Sequence, residues 1–167
     1  MCCVFRLVGI TPLIFTTTQE TNMPNRIISN IIAGQTVVSS SKESTVRAAC
    51  SLMAKKRIGA LLVVENNRII GIFTERDALN KVLAGNLDPD KTTLSQVMVA
   101  NPQTIRADKP LGYALQFMVD GGFRHVPVVD QNGAPVGMVS ARDALGQDMV
   151  QLERDLKFRE HLEENIA

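Results

Sequence analysis

The chain states one pattern twice. Gly71-Ile72-Phe73-Thr74-Glu75-Arg76-Asp77 returns sixty-six residues later as Gly137-Met138-Val139-Ser140-Ala141-Arg142-Asp143. Each copy follows an apolar run, Ala60-Leu61-Leu62-Val63-Val64-Glu65 in the first and His125-Val126-Pro127-Val128-Val129-Asp130 in the second, and Leu52-Met53 reappears as Phe117-Met118. Self-similarity over most of each half means that one supersecondary unit occurs twice and buries its apolar face against its copy. A unit of roughly 55 to 65 residues lies near the lower limit for a self-sufficient core, so the halves are expected to share one body. Facing copies would bring Thr74 and Ser140, and Asp77 and Asp143, near a shared cleft.

Periodicity fills in the unit. Ile27, Ile28, Ile31 and Ile32 mark a short amphipathic lead-in, residues 36–38 an extended segment, and residues 39–43 a polar loop. Ser44 is placed to cap a helix on which Val46, Ala49, Cys50 and Met53 fall at i, i+3, i+4 and i+7. Lys56 and Arg57 close that helix with charge suited to its dipole. Residues 60–65 and 68–74 read as strands about Asn66-Asn67, and residues 75–84 as a helix stopped at Gly85. After a linker at 86–91, Leu94, Val97 and Met98 offer a docking turn and Asn101-Pro102 an extended approach. Thr104-Ile105 then opens the second unit's first strand. Its helix starts at Asp108 and Pro110, turns Leu111, Ala114, Leu115 and Met118 inward and stops at Gly121-Gly122, with strands at 125–130 and 135–140 following. The order strand, helix, strand, strand, helix therefore occurs twice, which is an α/β (α+β) fold class. Beyond it, Leu145, Met149, Leu152, Leu156 and Leu162 form a near-heptad stripe, so residues 147–167 are expected to be a C-terminal helix that either covers core or pairs with a second copy.

Composition narrows the partners. Eighteen Lys and Arg against seventeen Asp and Glu leave a net charge of +1, which disfavours duplex nucleic acid. Six Phe, one Tyr and no Trp leave little for a base-stacking platform. Cys2, Cys3 and Cys50 have neither metal-ligand spacing nor a disulfide framework, which fits a reducing, cytoplasmic compartment and no metal site. Residues 1–22 are interrupted by Arg6 and Pro12, fall short of the about 20 apolar residues that span a bilayer, and lack a cleavage site or an Arg-rich face. They are expected to be a disordered extension ahead of Met23, with no membrane role.

The repeated turn carries the chemistry. Thr74-Glu75-Arg76-Asp77 and Ser140-Ala141-Arg142-Asp143 each stand where a strand becomes a helix, and both match the Ser/Thr-x-x-acid pattern that caps a helix start. The same groups suit a ligand: a hydroxyl and free N–H groups for phosphate, and a carboxylate for the vicinal hydroxyls of a ribose. Arg124-His125 precede the second apolar strand, where the first copy has Gly59-Ala60, so the second unit is expected to dominate anion recognition. No nucleophile-base pair is visible, and an arginine beside each aspartate would keep it ionised, in ligand-binding rather than proton-transferring form.

With Gly-x-x-Ser/Thr-x-Arg-Asp ending each second strand and His-Val-Pro-Val-Val-Asp in the second copy, the chain resembles a tandem pair of cystathionine-β-synthase (CBS) domains, a Bateman module, with one domain at 27–86 and the other at 94–146. The resemblance implies two units of pseudo-twofold symmetry, small sheets packed with helices, in a stand-alone regulatory or sensor module that is not an enzyme. It further implies an adenosine-containing ligand, AMP, ADP, ATP, S-adenosylmethionine or NAD, in the cleft between the units. Asp77 and Asp143 would hold ribose hydroxyls, Thr74 and Ser140 would approach ribose or phosphate, and Arg76 and Arg142 belong to the same turns. Arg124 and His125 would meet phosphate. Thr36, Val38 and Thr104, with Ala60, Leu61, Val126 and Pro127, would sandwich adenine. Homodimers of disc-like shape and a regulated client protein complete the expectation; the alternative is a dimerisation scaffold with empty clefts. Because residues 1–22 contribute no apolar stripe, trimming the chain to Met23 should leave its melting temperature nearly unchanged, which a thermal denaturation scan checks.

Overall fold

The computed structural model describes residues 26–143. Helix α1 (Ile28–Ile31), strand β1 (Ser39–Ser40), helix α2 (Val46–Lys56), strands β2 (Ala60–Glu65) and β3 (Arg68–Thr74) and helical turn α3 (Glu75–Asp77) come first, α3 continuing as a π-helix over Ala78–Leu83. Helix α4 (Leu94–Val97), strands β4 (Val99–Ala100) and β5 (Ile105–Arg106), helix α5 (Leu111–Gly121) and strands β6 (His125–Val129) and β7 (Pro135–Ser140) follow. One sheet runs β1-β2-β3-β4 and the other β5-β6-β7. In each, the first strand joins in parallel and the hairpin is antiparallel. The fold is α/β, with two units of the same plan.

Local chemistry accounts for the elements. Thr45 caps α2 by accepting from the Ala48 N–H at 3.3 Å. Asn66 and Asn67 both take positive φ, as a tight two-residue hairpin loop requires, and Asn tolerates it better than most residues. Helix α5 follows Pro110 and ends on Gly122 at φ 65.

The lead-in segments are exchanged. Helix α1 precedes the first unit but sits in the core of the second, where Ile28 and Ile32 pack with Ile105, Leu111, Val126 and Val139. Backbone bonds fix it there: Ile28 N–H donates to Lys109 and Leu111 N–H to Arg26. Helix α4 does the reverse, placing Leu94 and Val97 among Val46, Met53, Phe73 and Val82, with Leu94 N–H donating to Ser44 and Val46 N–H to Thr92. A third cluster, Ala60, Leu62 and Ile72 with Met138 against them, lies between the units. Strand alternation explains the division, since Leu61 and Val63 point into the helix-covered core while Ala60 and Leu62 point to the opposite face.

The repeated glycine serves this exchange. A side chain at Gly137 would meet the Cβ of Ile32 at 2.8 Å, and one at Gly71 would strike the Met98 side chain. Each glycine of the signature thus admits a residue from the other unit's lead-in.

Several elements differ from expectation. Residues 36–38 are extended, with the Val38 carbonyl accepting from Leu62 N–H, but the paired strand is Ser39–Ser40, inside the anticipated loop. Polar residues form it because a two-residue parallel strand is held through its backbone, whatever its side chains. The second unit's strand is Ile105–Arg106, so Thr104 lies ahead of it. The cap of α2 is Thr45, not Ser44. Residues 75–84 wind as α and then π, and β4 pairs with β3 where no strand was foreseen. Residues 1–22, residues 147–167 and the stripe from Leu145 to Leu162 lie outside the described residues. Among the described residues no helix is long and apolar enough to cross a membrane, and no group of His, Cys, Asp and Glu is placed to hold a metal ion.

Overpacking a dense contact typically costs about 1 to 3 kcal/mol. Gly137→Ala should fall in that range, because Ile32 is β-branched and meets the new methyl at its own Cβ. Gly71→Ala should cost less, since the flexible Met98 can swing away. Urea denaturation of both variants gives the comparison, and a larger loss in Gly71→Ala would refute it.

Candidate functional site

Two clefts open between the units, of about 610 Å³ and about 420 Å³. The first joins the approach segment of the first unit, residues 35–38, and the start of β2 to the Ser140-Ala141-Arg142-Asp143 turn of the second. The second joins the approach segment of the second unit, residues 101–103, to the Thr74-Glu75-Arg76-Asp77 turn of the first. Gly59, Glu75, Arg124 and His125 line both. Each cleft is therefore a joint between one unit's approach and the other's signature.

The first signature forms a reciprocal capping box, and the second repeats its aspartate half. Asp77 Oδ2 accepts from the Thr74 N–H at 3.1 Å and the Thr74 hydroxyl at 2.6 Å, while the Thr74 hydroxyl oxygen accepts from the Asp77 N–H at 3.2 Å. Asp143 Oδ2 accepts from the Ser140 N–H at 2.6 Å and the Ser140 hydroxyl at 2.8 Å. Capping occupies Oδ2 of each carboxylate. In Asp77 the remaining oxygen is 2.8 Å from Lys81 Nζ, which also donates to the Val97 carbonyl at 2.7 Å. Sixty-six residues after Lys81 the sequence has Gln147, so the second copy has no lysine at that position.

The structure brings most of the anticipated residues to the clefts. Thr36, Val38 and Ala60 line the first together with Ser140, Arg142 and Asp143. Thr74, Arg76 and Asp77 line the second, and Arg124 and His125 serve both. Four residues fall elsewhere. Leu61 and Val126 are fully buried in the two unit cores, because alternation turns them away from the facing side of their strands. Pro127 is fully buried and lines neither cleft, and Thr104 is exposed outside the second cleft. Thr104 lies out of register with Thr36 and Val38. Ser40 pairs with Val63 and Ile105 with the corresponding Val128, so the counterparts of residues 36–38 are residues 101–103. Sequence reading missed Gln35, Arg57, Glu75 and Met138 in the first cleft and Gln103 and Phe123 in the second. Glu75 sits inside the repeated turn, and Arg57 corresponds to Gly122; both differences between copies are visible in the sequence.

The expected asymmetry also changes place. Arg124 and His125 stand on the wall common to the clefts instead of serving the second unit alone. Gly59 also lines both clefts, and a side chain there would meet the Glu75 carboxylate at 3.3 Å, so this glycine makes room for that acid. Burial holds the His125 imidazole below its ordinary pKa, and the charges of Arg124 and Arg142 push the same way against Glu75 and Asp143. His125 is thus neutral at neutral pH, and the permanent cations of the clefts are guanidinium groups. One of them, Arg76, donates from Nη1 to the Gly122 carbonyl at 3.1 Å and ties the units together across the second cleft.

Comparison with known proteins agrees with this geometry. The CBS domain family matches the chain twice, over residues 31–84 and 94–148. A CBS domain-containing protein of Arabidopsis thaliana is 37% identical over 115 residues, which cover 68% of this chain and 21% of that protein. The chain thus spans about a fifth of the length of the curated relatives it first matches. A CBS domain protein of Pyrobaculum aerophilum, solved with AMP, is 29% identical with a TM-score of 0.66, covering 71% of this chain and 89% of that one. A CBS domain pair solved with 5′-methylthioadenosine and S-adenosyl-L-methionine is 25% identical with a TM-score of 0.69, covering 77% of this chain and 99% of that one. Matched twice over more than half its length, with a joint cleft on each side of its shared wall, the chain belongs to the CBS domain family as a tandem pair.

Proposed function

We propose that this CBS pair is a non-catalytic regulatory or sensor module that binds an adenosine-containing ligand between its units. The observation that carries the reading is the pairing, in each cleft, of one unit's Ser/Thr-x-x-Asp turn with the other unit's approach segment. The turn supplies a carboxylate already oriented by its cap, a fit acceptor for the two hydroxyls of a ribose. Thr36, Val38 and Ala60 supply a mostly apolar wall for the adenine, and Arg124 a guanidinium for phosphate. Relatives solved with AMP, 5′-methylthioadenosine and S-adenosyl-L-methionine support the same ligand class. ADP, ATP and NAD belong to that class. Binding in a joint between units would change how the units sit, and through that the affinity for a client protein. A homodimer and a cytoplasmic setting belong to this proposal too.

One observation favours a second reading. In the first signature the capping box and Lys81 engage the hydroxyl and both carboxylate oxygens without any ligand, and in the second Ser140 engages one oxygen of Asp143, which is what a scaffold with empty clefts would need.

A thermal-shift panel of AMP, ADP, ATP, S-adenosylmethionine and NAD separates the two. A ligand at 100 times its dissociation constant should add about 2.7 kcal/mol; no response to any of the five would leave the scaffold reading. Asp143→Asn keeps an acceptor oxygen for the Ser140 cap and removes the charge. Hydrogen bonds to a charged acceptor are worth about 1.5 to 3 kcal/mol, so this variant should bind adenosine roughly ten- to a hundredfold more weakly by calorimetry.

A further inference from the structure

Helix α2 ends on Arg57 in the left-handed region, φ 54, a conformation disfavoured for any residue with a Cβ. The matching helix α5 ends on Gly122 at φ 65, where the conformation is free of that penalty. The helix itself does not call for arginine here. The Arg57 N–H bonds to the Ala54 carbonyl as any residue's would, and among the described residues its guanidinium makes no hydrogen bond or ion pair. What distinguishes the position is its outlook. Arg57 lines the first cleft, where Arg124 and Arg142 also stand, so three arginines and two acids, Glu75 and Asp143, border it. In the second cleft Arg76 and Arg124 face Glu75 and Asp77, and Arg76 is already bonded to the Gly122 carbonyl. The first cleft is also the larger, about 610 Å³ against about 420 Å³.

We propose that Arg57 is the residue that makes the two clefts chemically different: it directs adenine nucleotides with a phosphate chain to the first cleft, while the second is left to adenosyl ligands with little or no negative charge. The inference rests on the adenosyl-binding reading above and adds the selectivity of that site. A disfavoured backbone geometry kept at a cleft wall, where the repeat itself shows that glycine serves the fold, is explained by the work of the side chain.

The test is calorimetry on the full chain with adenosine, AMP and ATP. Arg57→Gly installs the residue that the second copy uses, so it relaxes the backbone and should not lower the melting temperature. It should weaken ATP roughly tenfold and AMP measurably, and leave adenosine unchanged, because only a charge-assisted phosphate contact is removed. In Gly122→Arg the new Cβ meets nothing within 4 Å and takes on the left-handed backbone strain that Arg57 already bears, and the second cleft, lined by the neighbouring Gly121 and Phe123, should gain ATP affinity towards that of the first. Unchanged ATP affinity in Arg57→Gly, an equal loss for adenosine, or clefts as unequal in Gly122→Arg as in the parent would overturn the role of Arg57 alone. Failure of the parent chain to bind any of the three would overturn the adenosyl reading and this inference with it.

Discussion

The arrangement depends on a contact too close for any side chain: Ile32 against Gly137, and Met98 against Gly71. Each unit sets a helix of three turns, α2 or α5, over a small sheet, and its core is completed by a segment from the other half. The glycine at the start of each signature lets that segment approach. Burial of Ile28 and Leu94, both fully inaccessible to solvent, then ties the halves with apolar surface. Hydrophobic burial at about 25 cal/mol per Å² has no direction of its own, and the glycines supply one. Once the lead-ins cross, the approach segments that follow them must run past the partner's signature turn, which is how the clefts come to be joints.

The signature turn does structural and chemical duty with the same atoms. A carboxylate oxygen that accepts from both the N–H and the hydroxyl of the residue three positions back cannot rotate freely. Its rotamer is therefore set before any ligand arrives, and preorganised acceptors lose less on binding than mobile ones. Capping and recognition are thus compatible uses of one turn. The copies part at the second oxygen, which Lys81 holds in Asp77.

What the sequence revealed and what it hid follow from the kind of information each feature leaves in the residues. The repeat, the hairpins, the α2 stripe and the cap pattern are local, and residues such as Asn66-Asn67, Gly122 and Thr74 announce them. The crossing of the lead-ins is not local. Ile28 and Leu94 read as apolar positions wanting a core, with nothing to say whose. Strand β4 escaped and β1 was expected a few residues too early because such pairing lies in the backbone, and Ser39-Ser40 looks like loop. Leu61 and Val126 share their strands with the cleft-lining Ala60 and His125, yet a one-residue step along a strand reverses the face. Glu75 and Arg57 were overlooked for a different reason. Both are departures from the repeat, and attention to what the copies share passes over what sets them apart.

The exchange of lead-ins also orders events in time. As the chain emerges from synthesis, α1 appears before the second-unit core that it covers, and the first unit then forms without the floor that α4 supplies. The first half waits on residues 94–98, and α1 waits until β6 and β7 exist. Strand β7, the last of the described strands, carries Gly137, leads into the second signature turn and seats α1, the first of the described helices. Truncation within it would strand Ile28 and Ile32 in water at the other end of the pair, so the two units close like a clasp, β7 onto α1.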